Sequence, residues 1–163
     1  MIRLLTSADS EEIAALYVAN REFLAPFEPD RTDEFFTPAF QRKRIDAAGE
    51  DHWRWGIIDG DRIAGMIVLA DVLRGALQVG NVGYWVDHAH NGRGLATAAV
   101  GDVVAFAFGE GELHRLEAGT LVHNHASQRV LEKNGFERYG LARKLLRING
   151  EWRDHVLFER IAS

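Results

Sequence analysis

Two short stretches of this chain hold residue types at spacings suited to chemistry. The first runs Tyr84-Trp85-Val86-Asp87, then His88 to His90, then Asn91-Gly92-Arg93-Gly94-Leu95-Ala96-Thr97. It reads as a strand, a glycine-rich loop and the start of a helix. Glycines let the backbone come close to a ligand. The first turn of a helix offers unpaired N–H groups and partial positive charge. The combination suits an anion, phosphate above all. A Walker A loop needs Gly-Lys-Ser/Thr at its end, and no Lys stands there. A dinucleotide fingerprint fits at Gly92 and Gly94 but breaks at Thr97. An ordinary β–α turn is the plain alternative.

The second stretch is Asn124-His125-Ala126-Ser127 followed by Arg129-Val130-Leu131-Glu132-Lys133-Asn134-Gly135-Phe136. Taken together the two resemble the GNAT superfamily. Asn91 to Ala96 is similar to its pyrophosphate loop, Gln/Arg-x-x-Gly-x-Gly/Ala, with Asn91 where Gln or Arg is usual. Asn124 to Phe136 is similar to its Asn-x-x-Ser … Glu-Lys-x-Gly-Phe signature. With Gly83-Tyr84-Trp85 and a final hairpin the resemblance covers roughly residues 80 to 161. Within the family the likeness is to the RimJ/RimL-type N-terminal acetyltransferases, the group that acetylates ribosomal proteins. The N-terminal half matches only in its pattern of elements.

The resemblance implies acetyl-CoA as co-substrate and a primary amine as acceptor, either a protein or peptide N-terminus or a small-molecule amine. It implies that the fourth and fifth strands splay and that the pantetheine arm lies in the gap. Backbone groups of Trp85, Val86 and Asp87 are then candidate partners for the arm, and residues Asn91, Gly92, Arg93, Gly94, Leu95, Ala96 and Thr97 for the pyrophosphate. Arg93 is either an added charge or a solvated loop cation. Asn124 resembles the family Asn that contacts the arm, and Asn is also a preferred N-cap. Ser127 is the first candidate for donating to the departing thiolate, Tyr139 the second; each also has a plain reading, as a helix cap and a strand aromatic. The chain has no Cys, so attack of the amine on the thioester is direct, without a thiol acyl-enzyme.

The base is the open question. Many relatives carry Glu two residues before Gly83, where this chain has Asn81, which takes no proton. Glu117 on the next strand is a substitute candidate, Asp154 a weaker one. An α-amine titrates at about 7.7–8.0 and is partly neutral without help, whereas a Lys amine near about 10.4 needs more. This favours an α-amine. His88 with His90, and His123 with His125, stand at i, i+2 but in loops, so no metal site is expected; His123 or His125 is a candidate relay. Trp53, Trp55, Phe35 and Phe36 either line the acceptor cleft or pack the core.

The elements that must position these groups follow from periodicity. Ile2 to Leu5 reads as a strand, with Ser7 capping a helix that carries Ile13, Leu16 and Tyr17. A break at Pro26 and Pro29 precedes a helix over Pro38 to Ala48. Trp53–Ile58 and Arg62–Asp71 form a hairpin around Asp59-Gly60-Asp61. Gln78 to Asp87 is a strand, and Leu95, Ala99, Val103 and Phe106 mark a buried helix face. Leu116 to Val122 is a strand, a helix starts at Asn124, and Gly135 suits its left-handed end. Arg138–Ile148 and Trp152–Ile161 flank Asn149-Gly150, a strong hairpin signal. The expected fold is a single mixed α/β domain over 1–163, GNAT-like. Its sheet is mostly antiparallel, with a parallel β–α–β unit from Gln78 to Val122.

Composition fits. The 163 residues are 47% hydrophobic and 26% charged, an ordinary globular mix. The net charge of -5 argues against a nucleic-acid partner. No apolar run nears the ~20 residues of a membrane span, and with no Cys a cytoplasmic protein is expected. The resemblance leaves a homodimer open. Two non-enzymatic readings stand beside the transferase: an acyl-CoA-binding module, suggested by Asn81, and a dinucleotide-binding protein.

Overall fold

The computed structural model describes residues 1–163. One seven-stranded sheet runs in the order β1-β2-β3-β4-β5-β7-β6. Its strands are β1 (Ile2–Leu4), β2 (Trp53–Asp59), β3 (Arg62–Leu73), β4 (Val79–Val86), β5 (Arg115–Leu121), β6 (Glu137–Ile148) and β7 (Glu151–Ile161). All neighbours pair antiparallel except β4 and β5, which are parallel. The helices are α1 (Ser10–Ala19), the single turn α2 (Arg21–Leu24), α3 (Pro38–Asp46), α4 (Leu95–Phe108) and α5 (His125–Lys133). The order expected from periodicity is present, with α2 added, and the parallel crossover runs through α4.

Alternation of the strands sends side chains to two cores. On one face α4 and α5 cover the sheet: Val100, Val103 and Leu131 are fully buried against Ile57, Ile67, Leu116 and Phe158. Truncating such a residue to Ala costs about 2–5 kcal/mol. On the other face α1, α2 and α3 cover mainly β3 and the end of β4, through Ile13, Tyr17, Leu24, Phe35 and Ile45 packed on Ile63, Met66 and Trp85, with Leu5 and Ile58 at the margin. Trp53 and Trp55 lie on the α4 face, each edge-on to Phe106 at 5.3 and 5.2 Å. They pack in the core and line neither of the two cavities described below; their i, i+2 spacing fixed a shared face without saying which one.

Local chemistry sets the ends. The first helix is entered through a 3-10 turn at Ser7–Asp9, capped by Thr6 rather than Ser7, with the Asp9 carboxylate accepting from the Thr6 N–H at 2.7 Å. Thr37 caps α3, accepting from the Phe40 N–H at 3.2 Å with Pro38 in its first turn. The β3–β4 register shifts between Ala70 and Leu73, where Asp71 has φ +50°. A bulge in β6 leaves the Lys144 N–H to the Asp154 carboxylate at 2.9 Å, so Asp154 serves the strand.

Candidate active site

Strands β4 and β5 are joined only at Val79–Arg115, Gly80–Leu116 and Asn81–Glu117. Beyond these pairs they part, and the N-termini of α4 and α5 stand at the open end. The gap is a cleft of about 620 Å³, lined by Tyr84, Trp85 and Val86 of β4, by the 90–97 loop and by one face of α5.

The loop is built to receive an anion. Gly92 and Gly94 have φ +79° and +75°, the left-handed region. Gly94 is the N-cap of α4, and the first intrahelical bond runs from the Ala98 N–H to the Gly94 carbonyl at 3.0 Å. The N–H groups of residues 92 to 97 have no backbone partner. Gly92, Gly94, Leu95, Ala96 and Thr97 face the cleft, as do Arg129 and Lys133, one helical turn apart on α5. Donors, helix dipole and two cations thus converge, and the site fits a pyrophosphate with a further phosphate beside it. Arg129 and Lys133 stood inside the sequence motif, but only the helix geometry turns them to the cleft.

At the inner end stand Asn124 and Ser127. The Asn124 side-chain oxygen caps α5, accepting from the Ser127 N–H at 3.2 Å. The Ser127 hydroxyl lies 2.8 Å from the Tyr84 hydroxyl, which also donates to the Ser127 carbonyl at 3.1 Å. Burial, opposed by the Ser127 bond, pushes Tyr84 up to about 12, so its proton is held across the neutral range. Tyr84 escaped the sequence reading because the contact spans 43 positions.

Other candidates lie elsewhere. Asp87 is not on the cleft wall: its N–H donates to the Ala64 carbonyl at 2.7 Å. Its carboxylate accepts from the Asn20 amide at 2.9 Å and bonds His90 Nδ1 at 2.8 Å. Asn20, almost wholly buried, also accepts from the His88 N–H at 2.9 Å and so fastens the end of α1 to the turn before the loop. Burial works to raise the Asp87 pKa, but the bonds from Asn20 and His90 outweigh it and hold the group below the usual carboxylate value. Arg93 is ion-paired with Asp59 and turned from the cleft. Tyr139 is half exposed, with the Arg115 guanidinium 5.1 Å from its ring. Glu117 accepts from Arg115 at 2.9 Å, and Arg115 also pairs with Glu159 at 2.5 Å. His88 stacks near Phe23 at 4.6 Å and His123 near Phe27 at 6.3 Å; His125 is the first residue of α5.

A second cavity, about 220 Å³, opens on the opposite face of the sheet. Tyr17, Leu24, Glu28, Arg31, Phe35 and Phe36 line it, together with Asn149 of the β6–β7 turn. Leu24 lines both cavities, and Trp85 Nε1 donates to the Tyr17 hydroxyl at 3.2 Å between them. The loop after α2 is pinned across the sheet: Pro29 bridges to Ile148, and the Gly150 N–H donates to the Asp30 carboxylate at 3.2 Å.

The acetyltransferase (GNAT) domain family matches residues 1–137. A Bacillus subtilis (strain 168) protein named "Probable N-acetyltransferase YjcK" is 44% identical over 161 residues, 94% of this chain and 89% of that protein. The crystal structure of ribosomal-protein-S5-alanine acetyltransferase from Vibrio fischeri superposes with a TM-score of 0.94 at 34% identity, over 98% of this chain and 91% of that one. Mycobacterium smegmatis RimJ, in complex with CoA-disulfide, gives 0.93 at 27% identity over 99% and 81%. No helix here is long and apolar enough to cross a membrane.

Proposed function

The chain belongs to the GNAT acetyltransferase family and is an acetyl-CoA-dependent N-acetyltransferase; from that premise we propose that its acceptor is the α-amine of a protein or peptide N-terminus. The observation that carries this reading is the lack of a free base on the acceptor side. Asn81 stands where a carboxylate would serve, and its neighbour Glu117 is committed to Arg115. An amine that is already partly neutral near pH 7.5 suits such a site, and an α-amine is the common one.

The geometry supports the following roles. The 92–97 N–H groups with Arg129 and Lys133 hold the phosphates. The open edge of Tyr84 to Val86 pairs with the amide-bearing arm, and Asn124 reaches the same arm with its free amide N–H. The neutral amine nitrogen attacks the thioester carbonyl, the nitrogen's proton passes to solvent water, the carbon–sulfur bond breaks, and the thiolate takes a proton from the Ser127 hydroxyl, which is replaced from solvent through Tyr84. Glu117 and Tyr139 shape the acceptor side through Arg115 and transfer no proton. The Vibrio fischeri relative is named for an alanine of ribosomal protein S5, an acceptor that is a protein rather than a small amine.

The test is a pair of peptides, one with a free α-amine and no Lys, the other N-terminally blocked with one Lys. Thiol release with the first and none above background with the second is expected. Transfer to the Lys peptide alone, or to small amines alone, would overturn the reading.

A further inference from the structure

One residue, Leu24, borders both cavities. It ends α2 and is buried with Tyr17, Phe35 and Trp85 in the core on the α1 face. Tyr17 lines the smaller cavity and Trp85 the larger. Their ring centroids are 4.8 Å apart, and the indole N–H donates to the phenol oxygen at 3.2 Å. Tyr17 is in turn edge-on to Phe35 at 4.8 Å. A single layer of side chains, Leu24 beside this pair, therefore divides about 620 Å³ from about 220 Å³. Packed in this way, the layer yields little.

The same segment roofs the larger cleft. Phe23 lies 4.6 Å from His88, just past β4, and 6.1 Å from Phe27. Phe27 lies 6.3 Å from His123, just past β5. The rings of His88, Phe23, Phe27 and His123 thus run from one lip of the strand gap to the other. Hydrogen bonds fix the segment in place. Asn20, just before α2, donates its amide to the Asp87 carboxylate at 2.9 Å and accepts from the His88 N–H at 2.9 Å. The Phe27 and Glu28 N–H groups donate to the Leu24 carbonyl at 2.8 and 3.0 Å.

This segment gives the cleft no polar side chain: Phe23, Leu24 and Phe27 are its whole contribution. The other walls are β4, the glycine loop and α5. On the reading above, the arm runs along Tyr84 to Val86 and its sulfur ends beside the Ser127 hydroxyl. The strand and α5 then take two sides of the thioester, and the acyl group is left facing Leu24 and Phe27. An apolar wall suits a methyl group and offers a charged acyl group no partner. Each further methylene must press into a layer that is already packed, which is costly.

We infer that Leu24, with Phe27, sets the length of acyl group that the enzyme transfers. An acetyl group ends against them; a propionyl or butyryl group collides. The inference rests on the reading that puts the sulfur beside Ser127. Cutting Leu24 back to its Cβ opens the cleft into the 220 Å³ cavity, and a longer chain then has a place to go. The reaction itself is unchanged: the amine takes the acyl group, and CoA leaves as the free thiol.

The experiment measures kcat/KM for acetyl-, propionyl- and butyryl-CoA with one α-amine peptide, and CoA binding by calorimetry checks that each variant is folded. The wild type should favour acetyl over butyryl by about 10²-fold. Leu24→Ala should bring that ratio to about tenfold or less, by raising the butyryl rate and not only by lowering the acetyl rate. Should Leu24→Ala not fold, Phe27→Ala, at the more exposed rim, should lower the same ratio. A wild-type ratio near one, or an unchanged ratio in a folded variant, would overturn the inference. Two further arms separate it from the reading beneath it. If the peptide takes no acyl group at all, the ratio is read with alaninamide: the peptide acceptor fails, and the acyl limit stands or falls by the ratio. If Ser127→Ala leaves the acetyl rate untouched while Leu24→Ala shifts the ratio, the serine's role fails and the acyl limit stands.

Discussion

The Tyr84 hydroxyl sits 2.8 Å from the Ser127 hydroxyl and 3.1 Å from the Ser127 carbonyl oxygen. One phenol therefore fixes both the rotamer of the serine and the position of the first turn of α5. If the pair acts as one proton-donating unit, Ser127→Ala should lower kcat by about 10²-fold. Tyr84→Phe should lower it by about tenfold, and the double variant should be no worse than Ser127→Ala. Strict additivity in steady-state kinetics would separate the two roles. The pH–rate profile should show no loss from phenol ionisation below pH 10, since burial pushes Tyr84 up to about 12.

Gly94 caps α4 with φ +75°. A side chain there meets no neighbour but must adopt a left-handed backbone, at about 1–2 kcal/mol. Gly94→Ala should weaken acetyl-CoA binding by about tenfold in calorimetry, with a thermal midpoint lowered by a few degrees at most.

Arg129 and Lys133 line the cleft beside the glycine loop, and on the proposed reading they hold phosphates. Replacing both by Gln should raise KM for acetyl-CoA by about tenfold or more with kcat little changed. The effect should fade in high salt and vanish with acetyl-pantetheine, which has no phosphate. An equal loss with acetyl-pantetheine would place these residues elsewhere in the reaction.

Asp87 links the cofactor loop to α1. Its folded-state pKa is depressed, so its contribution to stability is complete above the usual value of 3.8 and is lost as pH falls below that, through the folded value. Asp87→Asn should destabilise the protein by about 1–3 kcal/mol at pH 7. The difference from wild type in denaturant titrations should shrink toward pH 3.

The glycine loop and the capped start of α5 were legible because their determinants are local. Glycines, a cap and a helix lie within a few residues of one another, and Asn91 to Thr97 and Asn124 to Ser127 each announce a turn with its own chemistry. The fold was legible for the same reason: the 2-residue and 3.6-residue periods and the turns at Asp59-Gly60-Asp61 and Asn149-Gly150 are short-range signals. What pairs across the sheet was not. Neither the Tyr84–Ser127 contact nor the commitment of Glu117 to Arg115 follows from spacing, because side-chain partners depend on register. Trp53 and Trp55 show the limit most plainly, since alternation groups them on a face without telling the cofactor side from the acceptor side. The second cavity draws on α1, α2, the 25–36 segment and the last hairpin turn, so no single stretch could reveal it.

The tether between Asp30 and Gly150, residues 120 apart in the chain, has a dynamic consequence. The loop after α2 and the last hairpin turn have little else to hold them together than this bond and the Pro29–Ile148 bridge. They form one opening unit, so amides of both should exchange with solvent at the same rate, faster than those of the β3–β4 core. The mouth of the second cavity then breathes on its own timescale, while the β4–α5 wall of the larger cleft stays shut.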